Sequence, residues 1–242
     1  MEEQEILSFF NKDGTIKDKD EIVQQVEDIY DAIKEEEDLN KENSYFSKIT
    51  NPETSIDTTS SLETFDFMNR TLFLTEEITA ETGPQFFEAI RFFNKCDEID
   101  RIPVEERNPI KIIIDTPGGD LCATLSIIDS IKLSKTPVWT ITTGCGYSGG
   151  FFIGICGHKR FGFPNSSYLF HQGACSWASD AHKFQQQAKF YEKTLDTLKE
   201  ITLKNTEITD SDYEKYKNGD WWLTAKEAIN KGIIDEISTE LV

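Results

Sequence analysis

The chain has 242 residues, 38% hydrophobic and 29% charged, with a formal net charge of −19. That length suffices for one sizeable core plus an appendage, and so acidic a balance argues against binding nucleic acid or an anionic membrane, both of which require basic groups. The opening MEEQEILSFF puts no basic region ahead of an apolar one, so it is not read as a signal peptide, and no apolar run reaches membrane-spanning length.

Five cysteines, Cys96, Cys122, Cys145, Cys156 and Cys175, form an odd set without a CxxC pair. Several lie in apolar segments, where a free thiol serves as a small hydrophobe. A reducing, cytoplasmic setting fits this usage. Neither a metal nor a cofactor is expected. Residues 1–60 carry seventeen Asp and Glu against six Lys, so −11 of the −19 lies in the first quarter. Within them Ile22, Val26, Ile29 and Ile33 recur at helical spacing, which predicts one amphipathic helix, and TNPETSIDTTSS reads as a polar linker. A partly disordered acidic tail is the alternative. The expected organisation is an acidic N-terminal extension, residues 1–60, followed by a body, residues 61–242.

From Arg70 the elements alternate. RTLFLTEEI reads as a strand and turn. TAETGPQFFEAIRFFN reads as a helix with Phe86, Phe87, Ile90 and Phe93 on one side. CDEIDRIPVEERNP reads as a polar loop. IKIIIDTPGGD is a buried strand entering a glycine turn, LCATLSIIDSIKLSK a helix, and TPVWTITTG the next strand. After the segment TGCGYSGGFF, KRFGFPNSSYLFHQ contains a strand ending at His171. A long helix follows from Asp180, with Phe184, Ala188, Tyr191, Leu195 and Leu198 as its stripe. LTAKEAINKGIIDEI supplies a short helix and a final strand. Alternation of this kind predicts an α/β fold with mostly parallel strands, in which ligands gather at the carboxyl ends of the strands. Both glycine turns lie at such ends.

Ser148 stands among four glycines in TGCGYSGGFF, Thr143–Phe152. Glycines cluster where the backbone turns sharply or something approaches it closely. A serine on a glycine turn leaving a strand displays a nucleophile; the plainer alternative is a tight turn whose serine caps the next helix. A nucleophilic serine needs a base, and the base an orienting acid. Of three histidines, His182 begins the long helix and His158 reads as a turn residue, whereas His171 ends an apolar strand. GYSGG also fits the nucleophile elbow of α/β-hydrolases, but that family requires Ser, acid, His in chain order, and no histidine follows His182. The order Ser148, His171, Asp220 has room, with Asp220 in NGDWWLTAKEA. A helix-start residue is the other reading of Asp220.

RTLFLTEEI, IIIDTPGGD, TGCGYSGGFF, KRFGFPNSSYLFHQ and GDWWLTAKEAINKGIIDEI together resemble the Clp protease proteolytic subunit (ClpP) family, in the same order and at similar separations, from about Phe67 onward. The resemblance implies a ClpP/crotonase-like fold of repeated β-β-α units and a serine endopeptidase acting on peptides or unfolded protein. It assigns Ser148 as nucleophile, His171 as base, Asp220 as acid, and the backbone N–H groups of Gly119 and Gly149 as oxyanion donors. It further implies a homo-oligomer of heptameric, stacked rings, with the long helix pairing across rings.

The chain departs from the family at several points. Tyr147 replaces a small residue and is expected to narrow or roof the site. Asp115 stands where asparagine is common, and the loop Cys96–Asn108 is longer than usual. The acidic N-terminus replaces an axial loop, and Lys111 falls where the ATPase-docking pocket expects an aromatic residue. Partnership with an AAA+ unfoldase is therefore left open. Two other readings compete with the peptidase: a non-catalytic ClpP-like scaffold subunit of a mixed ring, and a crotonase-like acyl-CoA enzyme.

Overall fold

The computed structural model describes residues 66–173 and 180–241. The helix expected around Ile22, Val26, Ile29 and Ile33, the linker after it, and Cys175 lie outside them. Thirteen α and β elements follow in the order β1 (Thr71–Leu74), α1 (Thr82–Ile99), β2 (Ile110–Thr116), α2 (Leu121–Leu133), β3 (Val138–Tyr147), α3 (Gly149–Gly154), β4 (Lys159–Gly162), β5 (Ser167–Phe170), α4 (Ala181–Asn205), α5 (Asp210–Tyr216), β6 (Trp221–Thr224), α6 (Ala225–Asn230) and β7 (Glu236–Ile237).

The apolar runs become the middle of the sheet, as their composition demands. β2 buries Ile110, Ile112, Ile114 and Thr116 on one face, the period-two pattern of a strand. Against that core α1 places Phe86, Ile90 and Phe93, and α2 places Ile127, Ile128 and Ile131. The strands run β1-β2-β3-β4-β7, all parallel. β5 pairs in parallel with β3 and antiparallel with β6. Polar side chains start the helices: Asp120 accepts from Ala123 N (2.8 Å), Asp180 accepts from Lys183 N (3.0 Å), and Thr209 and Thr224 form capping boxes with Asp212 and Glu227.

Four local expectations change. The strand expected within KRFGFPNSSYLF is two strands, β4 and β5, divided by a turn that Ser166 N closes on Phe163 O (3.0 Å). The helix α1 continues through Ile99 instead of giving way to loop at Cys96, because Asp97 is fully buried in an ion pair with Arg70. α5 and β6 are additional elements, and β6 begins directly after Asp220. The long helix forms over Ala181–Asn205, but its buried residues are Leu198, Ile201 and Thr202; the N-terminal part of the expected stripe is not buried, and Phe184 is 48% exposed.

Candidate active site

Three strand ends converge. β2 leaves the sheet through Thr116-Pro117-Gly118-Gly119. Gly118 has φ 94° and Gly119 φ 151°, conformations that L side chains rarely adopt. Ile78 holds this loop from outside: its N–H donates to Gly118 O (2.9 Å), and its carbonyl accepts from Asp120 N (2.7 Å). Successive groups of extended chain alternate in direction, so this bridge leaves the Gly119 N–H on the far side from Ile78. Inside the loop Thr116 Oγ1 accepts from Gly118 N (3.1 Å), and the same hydroxyl donates to Glu76 O.

The second strand end is Ser148. It has φ 53° and ψ −115° and stands at the N-cap of α3. A non-glycine residue in such a conformation costs about 1–3 kcal/mol, which the surrounding structure must offset. Two backbone bonds hold it: Ser148 N donates to Leu169 O (3.0 Å) and Phe152 N donates to Ser148 O (3.2 Å). The Ser148 hydroxyl makes no capping bond to α3, so the serine does not serve this turn as a side-chain cap. The first N–H groups of a helix have no partner within it, so the Gly149 N–H is available at this end. A methyl group on Gly149 would stand 2.5 Å from Thr124 Oγ1 and 3.6 Å from Gly119 N. The two glycine turns therefore abut, and only glycine fits between them.

The third strand end carries His171. The last ladder pair of β5 and β6 is Phe170↔Trp221. One step further His171 faces Asp220, with Nδ1 3.3 Å from Oδ1. Their side chains are 28% and 56% exposed, so neither is a core residue. Next to His171, Gln172 Nε2 donates to the Tyr213 hydroxyl (3.1 Å) and the Tyr191 hydroxyl donates to Gln172 O (3.0 Å). Ser148 is tied to the β5 strand through Leu169, two residues before His171. Among the described residues, no hydrogen bond joins the Ser148 hydroxyl to the imidazole. Such bonds are often long in unliganded sites and tighten only around substrate.

Of the other histidines, His158 Nδ1 accepts from Val138 N (2.9 Å) and fastens a turn, while His182 is exposed on the first turn of α4. Cys145, three residues before Ser148, is no rival nucleophile. Burial, then the adjoining Asp115 carboxylate, push its thiol up to about 11, and it is the thiolate that attacks. Tyr147 bonds Ser167 through its hydroxyl (2.8 Å) and meets Trp222 edge-on at 5.0 Å. By alternation, Tyr147, Leu169 and Trp222 lie in one row across β3, β5 and β6, on the same face as His171 and Asp220.

Two contributors are not visible in the motifs. One is Leu169, whose carbonyl anchors the backbone of Ser148. The other is β6, which brings Asp220 into reach; its signal was WWLT, an aromatic run too short to stand alone as a strand.

The family model described as Clp protease matches residues 53–240. An ATP-dependent Clp protease proteolytic subunit 2 from Treponema denticola is 36% identical over 132 residues, covering 54% of this chain and 66% of that protein. A proteolytic subunit from Deinococcus radiodurans is 32% identical over 139 residues, 55% of this chain and 68% of its own length. Proteolytic subunit 1 from Protochlamydia amoebophila is 28% identical over 173 residues, 70% and 80% of the two chains. The match to the Treponema denticola protein thus spans about two thirds of its length. With a mostly parallel sheet, two abutting glycine turns and a family match extending over most of its length, the chain belongs to the Clp protease family.

Proposed function

We propose that the chain is a serine endopeptidase of the ClpP type. The observation that carries this reading is the 3.3 Å approach of His171 Nδ1 to Asp220 Oδ1, one residue beyond β5, the strand that also receives the backbone of Ser148. Asp220 holds the imidazole with its proton on Nδ1, which leaves Nε2 to take the Ser148 proton. The Ser148 oxygen adds to a peptide carbonyl, and the oxyanion is received by the N–H groups of Gly119 and Gly149. Each such donor is typically worth about 3–4 kcal/mol of barrier. Collapse of the tetrahedral species expels the amine, which takes its proton from His171. Water, deprotonated by the same imidazole, then releases the acyl group and restores Ser148.

The substrates are peptides or unfolded protein, and the working form is a homo-oligomeric ring, heptameric and stacked. Phe190 on α4 is 71% exposed, and this part of the helix is the surface assigned to contact between rings. Residues 1–60 are read as an extension appended to the body, and an AAA+ unfoldase is the partner class in keeping with the word ATP-dependent in the relatives' names. The compartment is the cytoplasm, in keeping with the free thiols of Cys96, Cys122, Cys145 and Cys156; among the described residues no helix is long and apolar enough to cross a membrane.

The test is covalent labelling by a fluorophosphonate. Wild type should label once per active site and Ser148→Ala not at all, with assembly unchanged. Equal labelling of the two sinks the assignment. A second reading, a non-catalytic scaffold subunit, draws on the unformed bond between Ser148 and His171; it requires that wild type stay unlabelled and hydrolyse no peptide.

A further inference from the structure

We infer that Asp115 is a positioning residue, which sets the registry between the strand bearing Ser148 and the strand bearing His171. The inference rests on the peptidase reading for its catalytic consequence, but its structural content can be tested without it.

β3 changes partner along its length. Trp139–Thr142 pair with Lys159–Gly162 of β4, and Cys145–Tyr147 pair with Ser167–Leu169 of β5. At the change of partner the register against β2 slips: Ile114 lies opposite Thr142, and Thr116 lies opposite Gly146. One residue of β2, Asp115, therefore faces three of β3: Thr143, Gly144 and Cys145. Extra residues in a bulge lose their ladder partners, and their backbone donors must find other acceptors.

Asp115 supplies one. Its Oδ1 accepts from Cys145 N at 2.8 Å. The carboxylate lies against Gly144 so closely that a methyl group there would stand 2.3 Å from the same oxygen. It also faces the Cys145 thiol. The side chain thus fills the place of a missing ladder group at the residue where β3 takes up β5. Three residues later Ser148 N must meet Leu169 O. A slip of one residue turns every following side chain to the other face, and Ser148 would then be lost to His171. The next residue of β2 performs the matching task for the other half of the site, since Thr116 Oγ1 holds Gly118 N. Adjacent residues of one strand thereby brace the nucleophile turn and the oxyanion loop.

The required feature is an acceptor oxygen at that reach, not the charge. Asp115→Asn should label with a fluorophosphonate within about threefold of the wild-type rate, whereas Asp115→Ala should fall tenfold or more, to about a hundredfold, the loss expected from misplacing a reacting atom by about an ångström. If the alanine variant is insoluble, Asp115→Ser, whose hydroxyl falls short, serves in its place. Asn94→Ala is the control. It removes bonds to Lys135 N and Thr136 N outside the site, and should lower thermal stability without lowering the labelling rate of the folded protein. Amide exchange at Cys145 and Ser148 should quicken in Asp115→Ala and stay near wild type in Asp115→Asn. The inference is overturned if the alanine variant labels at the wild-type rate, if asparagine fails as fully as alanine, or if Asn94→Ala loses labelling in proportion to its stability. Should wild type not label at all, the peptidase reading fails; the inference then stands or falls on whether the Cys145 and Ser148 amides lose protection.

Discussion

Trp221 lies directly opposite Phe170 in the antiparallel ladder of β5 and β6, and its ring is stacked on Tyr216 at 4.1 Å. The pair fixes where the next residues on each strand stand, and those residues are His171 and Asp220. Because the position of Asp220 follows from the pairing of its neighbour Trp221, its charge can be removed without moving it. Asp220→Asn should therefore keep the fold and assembly while lowering kcat on a peptide substrate by about 10⁴-fold, since the amide favours the wrong imidazole tautomer. Steady-state kinetics beside a thermal melt checks this; a loss below tenfold would remove Asp220 from the mechanism.

Gly119 cannot carry a side chain where it stands. A methyl group would lie 2.1 Å from Ile78 O, at a φ of 151°. Relief requires the loop to move, and its N–H moves with it. Gly119→Ala should lower kcat by about 10²–10³-fold, the effect of losing one oxyanion donor, with KM little changed. An alanine variant with wild-type kcat would exclude this N–H from the reaction.

Asp97 is fully buried, yet it accepts from Arg70 Nη1 (2.9 Å) and from the Thr136 hydroxyl (2.6 Å). Burial alone would raise its carboxyl, but Arg70 and Thr136 outweigh burial and hold it below the ordinary value. A group lowered on folding stabilises above its unfolded value, near pH 4, and that contribution is lost as pH falls through the lowered value. Asp97→Ala should cost about 3–5 kcal/mol near neutrality, because Arg70 is left without its partner. The gap in Tm between wild type and variant should narrow as pH falls below about 4. A gap that stays constant to pH 2 would show that Asp97 does not titrate with unfolding.

Removal of residues 1–60 should leave assembly intact and raise hydrolysis of a small acidic peptide, because the segment holds −11 of the net charge. Added salt should shrink the difference, since screening shortens charge repulsion to about 8–10 Å. Unchanged hydrolysis by a well-assembled truncation excludes this repulsion, and an insoluble truncation assigns the segment to the fold.

Local signals carried the sequence reading where structure is local. The isoleucines of IKIIIDT, the glycines around Ser148 and the apolar SYLF before His171 each specify their own element. The reading fell short where a distant partner decides. Asp97 looks like loop until Arg70, 27 residues upstream, neutralises it, and only then does α1 run on to Ile99. Trp221–Thr224 becomes a strand because β5 offers it an edge. The turn dividing β4 from β5 was written in Phe163-Pro164-Asn165-Ser166, a turn composition, but the flanking apolar residues masked it. The bulge at Asp115 leaves no pattern in either strand alone.

β5 is four residues long, yet it is bonded along both edges, to β3 and to β6. The strand leading to Ser148, the residue before His171 and the strand that follows Asp220 thus meet on one short stretch of sequence. No part of that arrangement can melt while the rest goes on working. In a denaturant titration peptide hydrolysis should therefore vanish over the same narrow span as the sheet itself, as one all-or-none event, with no fading of activity beforehand.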